Sequence, residues 1–301
     1  MDMTETGQRR LQTYVLVTAA YNEEKYIRRT IESVAAQSIA PRKWIIVSDA
    51  SSDRTDNIVR EYAMRHSFIA LHRITEDHPR NFAAQVNAIN FGCQLLKQEV
   101  FDFIGNLDAD ICFAQDYFER LFERFGSDEQ LGCAGGFICE ESNGSFRSRT
   151  ANSETSVAHA IQLFRRSCFD AVGPYMALPY GGPDWVAETR ARQLGWKVRA
   201  FPDLHVHHLR PTASAEGLLC GRIRQGRMDY SFGSLLPFEL LKCARRVNES
   251  PRIVGSALRL YGYFSCLLRG EPTLIPEDLK HYLQHEQRQR LRDLLRQAPL
   301  G

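Results

Sequence analysis

Short, unbroken apolar runs alternate with longer stretches whose apolar residues recur every three to four positions. Runs at Tyr14–Ala19, Lys43–Ser48, Phe68–Arg73 and Phe101–Leu107 have the length of buried strands. Between them, Ile27, Ile31, Val34 and Ala35 share one helical face, as do Ile58, Val59, Tyr62 and Ala63. Phe82, Val86, Ile89, Cys93 and Leu96 mark a third amphipathic helix. Strict alternation of strand and helix predicts an α/β fold, a doubly wound and mostly parallel sheet covered on both faces.

In such sheets ligands bind beyond the carboxyl ends of the strands. Those ends carry Ala20-Tyr21-Asn22-Glu23, then Asp49-Ala50-Ser51-Ser52-Asp53, then Asp108-Ala109-Asp110. Acids converging from three strand ends repel one another unless a cation or a donor-rich ligand lies among them. Past residue 140 the rhythm weakens. Residues 140–154, EESNGSFRSRTANSE, read as a polar loop long enough for a lid or an acceptor-side segment. Ile161–Phe164 and Lys197–Phe201 read as strands, and residues 184–196 as a helix ending at Gly195. From about residue 215 the chain is mostly helical, with no clean linker and no internal repeat.

Composition changes this picture in two ways. A formal net charge of +2 over 301 residues excludes a polyanion-coating protein, and so a nucleic-acid partner. That charge is uneven, however. Residues 215–301 hold 14 Lys and Arg against 9 Asp and Glu, whereas residues 1–214 hold 24 against 27. A mildly acidic body thus carries a basic, aromatic-rich tail. Eight scattered cysteines without a C-x-x-C pair exclude zinc ribbons and thioredoxin chemistry, and fit a reducing, cytoplasmic setting. The first residues lack the basic-then-apolar order of a signal peptide, and no apolar stretch reaches the roughly 20 residues of a membrane span.

Five segments taken together resemble the family-2 glycosyltransferases with a GT-A-like fold. They are AAYNEE, VSDASSDRT and LDAD at the strand ends, then GGPDW and FPDLHVHHLR, in that order across about residues 12–210. The resemblance implies a Rossmann-like nucleotide-sugar half over about 12–112 and an acceptor half over about 113–214. These would form a catalytic domain, 1–214, followed by a helical extension, 215–301. The implied reaction is inverting transfer of a sugar from a nucleoside-diphosphate sugar, UDP favoured, to a glycan or glycolipid hydroxyl, with Mg²⁺ or Mn²⁺. The chain departs from the family pattern at Ala20, where Pro is common, and at Pro183, where the first acid of a pair is common. It departs also in RNFAAQVNAIN, where Arg80 stands in for a lysine-bearing loop.

The resemblance assigns Asp110 to the metal, Asp108 to metal or ribose, and His208, rather than His207, to an additional ligand position. Asp49 would accept from a pyrimidine N–H or ribose hydroxyl, Tyr21 would stack on the base, and Glu23 would take a ribose hydroxyl. Ala20, Ser51 and Ala109 line the same site, and Arg80 would meet the diphosphate. Asp184 would be the general base that takes the acceptor's proton. Trp185 would stack on a sugar ring, with Glu188 one turn further on the acceptor side. Each has a structural alternative: strand-end turns and helix caps for Asp49, Ser51, Asp110 and Asp184, core packing for Trp185. A nucleotidyltransferase is the rival enzyme, but it calls for a Gly-rich, basic phosphate loop where this chain has AAYNEEKY. A binding relic of the fold is the non-enzyme rival. In the tail, residues 252–270 are apolar, interrupted by Arg259 and short for a bilayer. Such helices suit peripheral contact with an anionic membrane surface at the inner face of the cell membrane, as in bacterial exopolysaccharide or cell-envelope assembly. They equally suit packing with solvated arginine faces.

Overall fold

A computed structural model describes residues 12–76, 82–142, 145–210, 217–249 and 251–297. These fall into two compact units, one of residues 12–179 and 183–210, the other of 180–182 and 217–297.

The first unit opens with β1 (Tyr14–Ala20), α1 (Ile27–Ala35), β2 (Lys43–Asp49), α2 (Thr55–Ala63), β3 (Ile69–Ile74), α3 (Phe82–Leu95) and β4 (Phe103–Leu107). It continues with β5 (Ile111–Phe113), α4 (Tyr117–Ser127), β6 (Leu131–Ser142), β7 (Ser145–Ser148) and β8 (Ile161–Arg165). Then come α5 (Arg166–Val172), α6 (Pro183–Gln193) and β9 (Lys197–His208). All strands join one sheet in the order β3-β2-β1-β4-β8-β6-β9-β5, with β7 beside β6. From β3 to β4 every pair is parallel. Beyond β4 the sheet is mixed, because β8 runs antiparallel to both β4 and β6 while β6 and β9 are parallel.

Burial follows the two-residue period of a strand covered on both sides. Tyr14, Leu16, Trp44 and Ile46 pack with α1, α2 and α4, against Ile27, Ile31, Val59 and Phe118. Their neighbours Val15, Val17, Ile45 and Val47 face the other way and pack with Val86 and Ile89 of α3. The α/β alternation expected from the sequence is therefore present, and it delivers the ends of β1, β2 and β4 to one edge.

Two expectations need correction. Residues 140–154 are not an open polar loop: β6 continues to Ser142 and pairs antiparallel with β7, Cys139 opposite Ser148. β7 is largely exposed, so it needs no apolar face and leaves no hydrophobic signature. The strand from Lys197 also runs on to His208, past Pro202. Its register against β6 jumps from Gly136↔Phe201 to Phe137↔His205, and proline is tolerated at such an irregularity. Gly136 makes the jump feasible, since a Cβ there would lie 2.2 Å from the Leu204 carbonyl oxygen.

The second unit holds α7 (Leu218–Ser231), α8 (Leu236–Arg245), α9 (Val254–Leu268) and α10 (Glu277–Gln297). α7 and α9 meet backbone to backbone at two glycines. A Cβ on Gly226 would stand 1.8 Å from the Arg259 carbonyl oxygen, and one on Gly262 would stand 2.1 Å from that of Ile223. Arg259 is not on a solvated face. It is buried, donating to Glu239 at 2.7 Å and to Asp229, which also holds Lys242 at 2.7 Å. No helix among the described residues is long and apolar enough to cross a membrane.

The close crossing gives a paired prediction. Gly226→Ala should destabilise the protein by about 1–3 kcal/mol or more, because the obstacle is backbone and cannot swing aside. Gly221→Ala, also in α7 but with nothing within 4 Å of the added methyl, should be stabilising by about 0.5–1 kcal/mol. Urea unfolding of the two variants checks both signs; equal stabilities would mean that the crossing is looser than described.

Candidate active site

The turns after β1 and β2 are bound to each other by side chains aimed at backbone amides. The Asn22, Glu23 and Glu24 amides donate to Ser51 Oγ at 3.2 Å, Thr55 Oγ1 at 2.7 Å and Asp53 Oδ2 at 3.0 Å. In return the Ser52 and Arg54 amides donate to Asn22 Oδ1 at 2.8 Å and Glu24 Oε2 at 3.1 Å. Asn22 and Ala50 sit at φ 54, the left-handed region; Asn tolerates it, whereas at Ala50 it is local strain of the kind found at ligand sites. Ser51 thus spends its hydroxyl on the loops, and its carbonyl accepts from Arg73 of β3 at 3.0 Å. Ala20 is buried at the end of β1, Asp49 is buried at the end of β2, and Tyr21 beside them is 43% exposed.

Asp108 and Asp110 flank the tight turn between β4 and β5. Thr30 of α1 fixes that turn by donating to the carbonyl of buried Ala109 at 2.8 Å. β9 arrives beside β5 with Ile111 opposite His208, and the strand period decides which histidine enters. His207 turns away and stacks on Phe146 at 4.2 Å, while His208 Nε2 lies 3.4 Å from Asp110 Oδ1. One donor atom from each of Asp108, Asp110 and His208 falls within 4.8 Å of the others. Arg210 follows, 3.3 Å from Asp110 Oδ2 and paired with Glu23.

The electrostatics are those of acids crowded in a partly dry site. Burial, with the charge of Asp108, pushes the Asp110 carboxyl above the ordinary range, although His208 and Arg210 oppose it. For Asp108 burial pushes the same way but is outweighed by His159, His208 and Arg210, so its pKa falls. Glu23 is pushed up to about 7 by burial, against the pull of Arg210 and with the help of Asp110 and Asp108. Two hard carboxylate oxygens and one imidazole nitrogen suit Mg²⁺ or Mn²⁺ with further positions left for oxygens of a diphosphate. The mutual repulsion of Asp108 and Asp110 is the specific feature of this structure that a cation would relieve. The residues therefore fit a divalent cation.

Asp184 lies in the first turn of α6 behind Pro183, which suits the first helical position. Its Oδ2 accepts from the backbone amide of His159 at 3.1 Å, which ties it to the segment entering β8. The His159 ring reaches towards Asp108, Nδ1 to Oδ1 at 3.8 Å, a charge contact too long for a hydrogen bond. Burial draws the His159 pKa down and the Asp108 carboxylate more than restores it, leaving it above the ordinary value. Gln85 of α3 donates to the same Asp108 oxygen at 3.2 Å. Trp185 is half-buried on α6.

Glu188 is brought to no open surface. It is fully buried, accepting from Ser156 Oγ at 2.9 Å, Gln162 Nε2 at 3.1 Å and the Val157 amide. Arg80 lies outside the described residues. Two residues at the cluster were absent from the sequence reading, His159 and Arg210. Arg210 was detectable as the basic residue closing HHLR; His159, alone between alanines, carried no signal.

Burial, with the charge of Asp184, pushes the Glu188 carboxyl up to about 8, from 4.5. A raised acid holds its proton in the folded state while the unfolded state has lost it. Stability should therefore fall as pH rises from about 4.5 towards about 8. Glu188→Gln, which keeps the shape and can keep the hydrogen bonds, should flatten that fall. Melting temperatures of both proteins across this range check it; parallel curves would mean that Glu188 does not drive the slope.

Comparison with known proteins gives the family and the fold. The chain matches Glycosyl transferase family 2 over residues 15–178. It is 31% identical over 126 residues to the poly-beta-1,6-N-acetyl-D-glucosamine synthase of Staphylococcus aureus, an alignment covering 42% of this chain and 28% of that one. This chain thus spans well under half the length of that relative. Among solved structures, the mannosyltransferase PcManGT of Pyrobaculum calidifontis, in complex with GDP-Man and Mn²⁺, superposes with a TM-score of 0.55 at 16% identity. That match covers 94% of this chain and 87% of the other. GalNAc-T7, solved with UDP, GalNAc and Mn²⁺, superposes at 0.61 with 14% identity, over 98% of this chain and 59% of the other. At these identities the superpositions speak for the fold, a GT-A one. The family match covers more than half of the chain, which therefore belongs to glycosyl transferase family 2.

Proposed function

We propose that this chain transfers a sugar, with inversion, from a nucleoside-diphosphate sugar to a hydroxyl of a glycan or glycolipid, with UDP as the favoured nucleotide. The observation that carries the reading is the meeting of Asp108, Asp110 and His208 within 4.8 Å at the carboxyl ends of the strands. Asp108, Asp110 and His208 would hold Mg²⁺ or Mn²⁺, and such a cation neutralises charge that grows on a departing diphosphate. Asp49 and Tyr21, at the ends of β2 and β1, take the nucleoside, and Glu23 with Arg210 borders the ribose and diphosphate. Asp184 accepts the proton of the acceptor hydroxyl as that oxygen bonds to the anomeric carbon and the bond to the diphosphate oxygen breaks. Trp185 offers a face to the acceptor sugar. The relatives support a nucleotide-sugar donor: PcManGT was solved with GDP-Man, and Staphylococcus aureus TarS with UDP-GlcNAc. The similarity to an N-acetylglucosamine polymer synthase favours UDP-GlcNAc for the first trial. The basic tail favours work at the cytoplasmic face of a membrane.

A thermal-shift screen tests the donor. UDP-GlcNAc, UDP-glucose and GDP-mannose should be compared with and without Mn²⁺, since a ligand at 100 times its Kd adds about 2.7 kcal/mol of apparent stability. A shift seen with a UDP-sugar and enlarged by Mn²⁺ is expected. A shift with nucleoside triphosphates and sugar phosphates alone would turn the reading towards a nucleotidyltransferase.

A further inference from the structure

Helix α9 is built inside out. Its buried positions are Gly255, Arg259, Gly262, Tyr263 and Cys266, so the inward face carries Gly262, at the close crossing with α7, and the helix's one charged residue. Its outward face is apolar. Val254, Ala257, Tyr261 and Leu268 are exposed, and their spacing of three and four, then seven, places them on one stripe. Tyr261 is 58% and Leu268 85% exposed. Ile253, just ahead of the helix, is 69% exposed and held at φ 55, a costly conformation for a β-branched residue. The interruption at Arg259 that the sequence displays is thus absent from the surface: the arginine is consumed by Asp229 and Glu239 inside.

Burying an arginine while exposing leucine, isoleucine and tyrosine reverses the usual sorting of side chains. A contiguous apolar strip of this kind on the surface marks a contact site. What borders it identifies the contact. Arg252 is exposed at the start of α9, Arg269 at its end, and Arg245 at the end of neighbouring α8. The nearest acids in sequence are Glu249, engaged by Arg222 and Arg246, and Glu271, which accepts from Tyr180 and lies 3.8 Å from Arg269, an exposed contact weak enough for a headgroup phosphate to replace. An apolar stripe about 20 Å long with cations at both ends matches an acyl-chain boundary lined by anionic headgroups.

We propose that the outer face of α9 is a membrane-docking surface, lying in the plane of an anionic leaflet with Ile253, Val254, Tyr261 and Leu268 inserted and Arg245, Arg252 and Arg269 on headgroup phosphates. This rests on the reading of the tail as a membrane-facing region and names the face that does the work.

Flotation of the full chain with phosphatidylcholine vesicles containing or lacking phosphatidylglycerol tests it. Wild type should float with the anionic vesicles, less so as salt rises. Tyr261→Gln/Leu268→Gln should cut partitioning about tenfold or more, at every salt concentration. Arg252→Ser/Arg269→Ser should cut it about fivefold per charge at low salt and little at high salt. All substituted side chains are exposed, so circular dichroism and melting temperature should stay unchanged, giving a check that each variant is folded. Equal flotation of wild type and the Tyr261/Leu268 variant overturns the α9 face while leaving a membrane-facing tail intact. No flotation of wild type overturns both. Concentration-dependent self-association without lipid, lost in the Tyr261/Leu268 variant, would make the stripe an interface between copies and overturn the membrane assignment.

Discussion

Asp110→Asn should abolish the dependence of UDP binding on Mn²⁺ while leaving the fold intact. Three features set that expectation. Asp110 is buried beside Asp108, whose charge adds to the cost that burial sets on ionising it. His208 and Arg210 approach its two oxygens, at 3.4 and 3.3 Å, so the residue is also the hub of the cationic side of the site. Removing its charge relieves the repulsion from Asp108 but leaves Arg210 its partner Glu23. Stability should therefore change little, whereas cation affinity should fall by a factor of about 100 or more, since disturbing even the groups behind a metal ligand costs about 10–100-fold. Because Asp110 titrates above an ordinary aspartate, protons should compete with Mn²⁺ at higher pH than for an isolated carboxylate. Affinity should drop as pH falls towards that raised value. Calorimetric titration of UDP with and without Mn²⁺, for both proteins and at two pH values, provides the measurement. Undiminished metal dependence in the variant would sink the assignment of the cation to this cluster.

The parallel half of the sheet was legible because β1, β2 and β4 are buried on both faces, β3 at the edge is partly so, and each connecting helix shows an apolar stripe. The strand ends then followed, and with them Tyr21, Asp49, Asp108 and Asp110. Legibility fell where burial stopped setting the pattern. β7 is an exposed hairpin arm, β6 is rich in glycine, and β9 alternates on each side of Pro202 but loses its phase across the register jump, so none of the three carries one unbroken period. His208 could be chosen over His207 from the resemblance, but the physical reason appears only when β9 is paired to β5 and the alternation of its side chains is fixed. His159 shows the limit most clearly. It contributes a backbone amide to Asp184 and a ring to Asp108, two contacts that exist only after β8 is set between β4 and β6. In the tail the apparent flaw of a charge inside an apolar stretch disappeared once Asp229 and Glu239 were brought to Arg259.

Asp184→Asn should separate chemistry from binding. A base acts on the acceptor's proton, on the side of the sugar away from the diphosphate. Its loss should lower turnover by a factor of about 10²–10⁴, the usual contribution of a positioned proton transfer, and leave UDP affinity unchanged. Asparagine can still accept from the His159 amide through its side-chain oxygen, so the tie between α6 and the segment before β8 survives. Its place in the first turn of α6 favours a negative charge, and losing that interaction costs only about 0.3–1 kcal/mol. A large fall in stability is thus not expected. The other acid of α6 offers no rescue. Glu188 has no exposed surface and its oxygens are already filled by Ser156, Gln162 and the Val157 amide, so it cannot meet an acceptor hydroxyl. Sugar transfer and UDP affinity measured side by side decide the matter. Near-normal transfer by Asp184→Asn would falsify the base assignment outright, since no second carboxylate of α6 stands ready to replace it. Loss of UDP binding together with transfer would instead trace the effect through His159 to Asp108, and make Asp184 a support of the donor site.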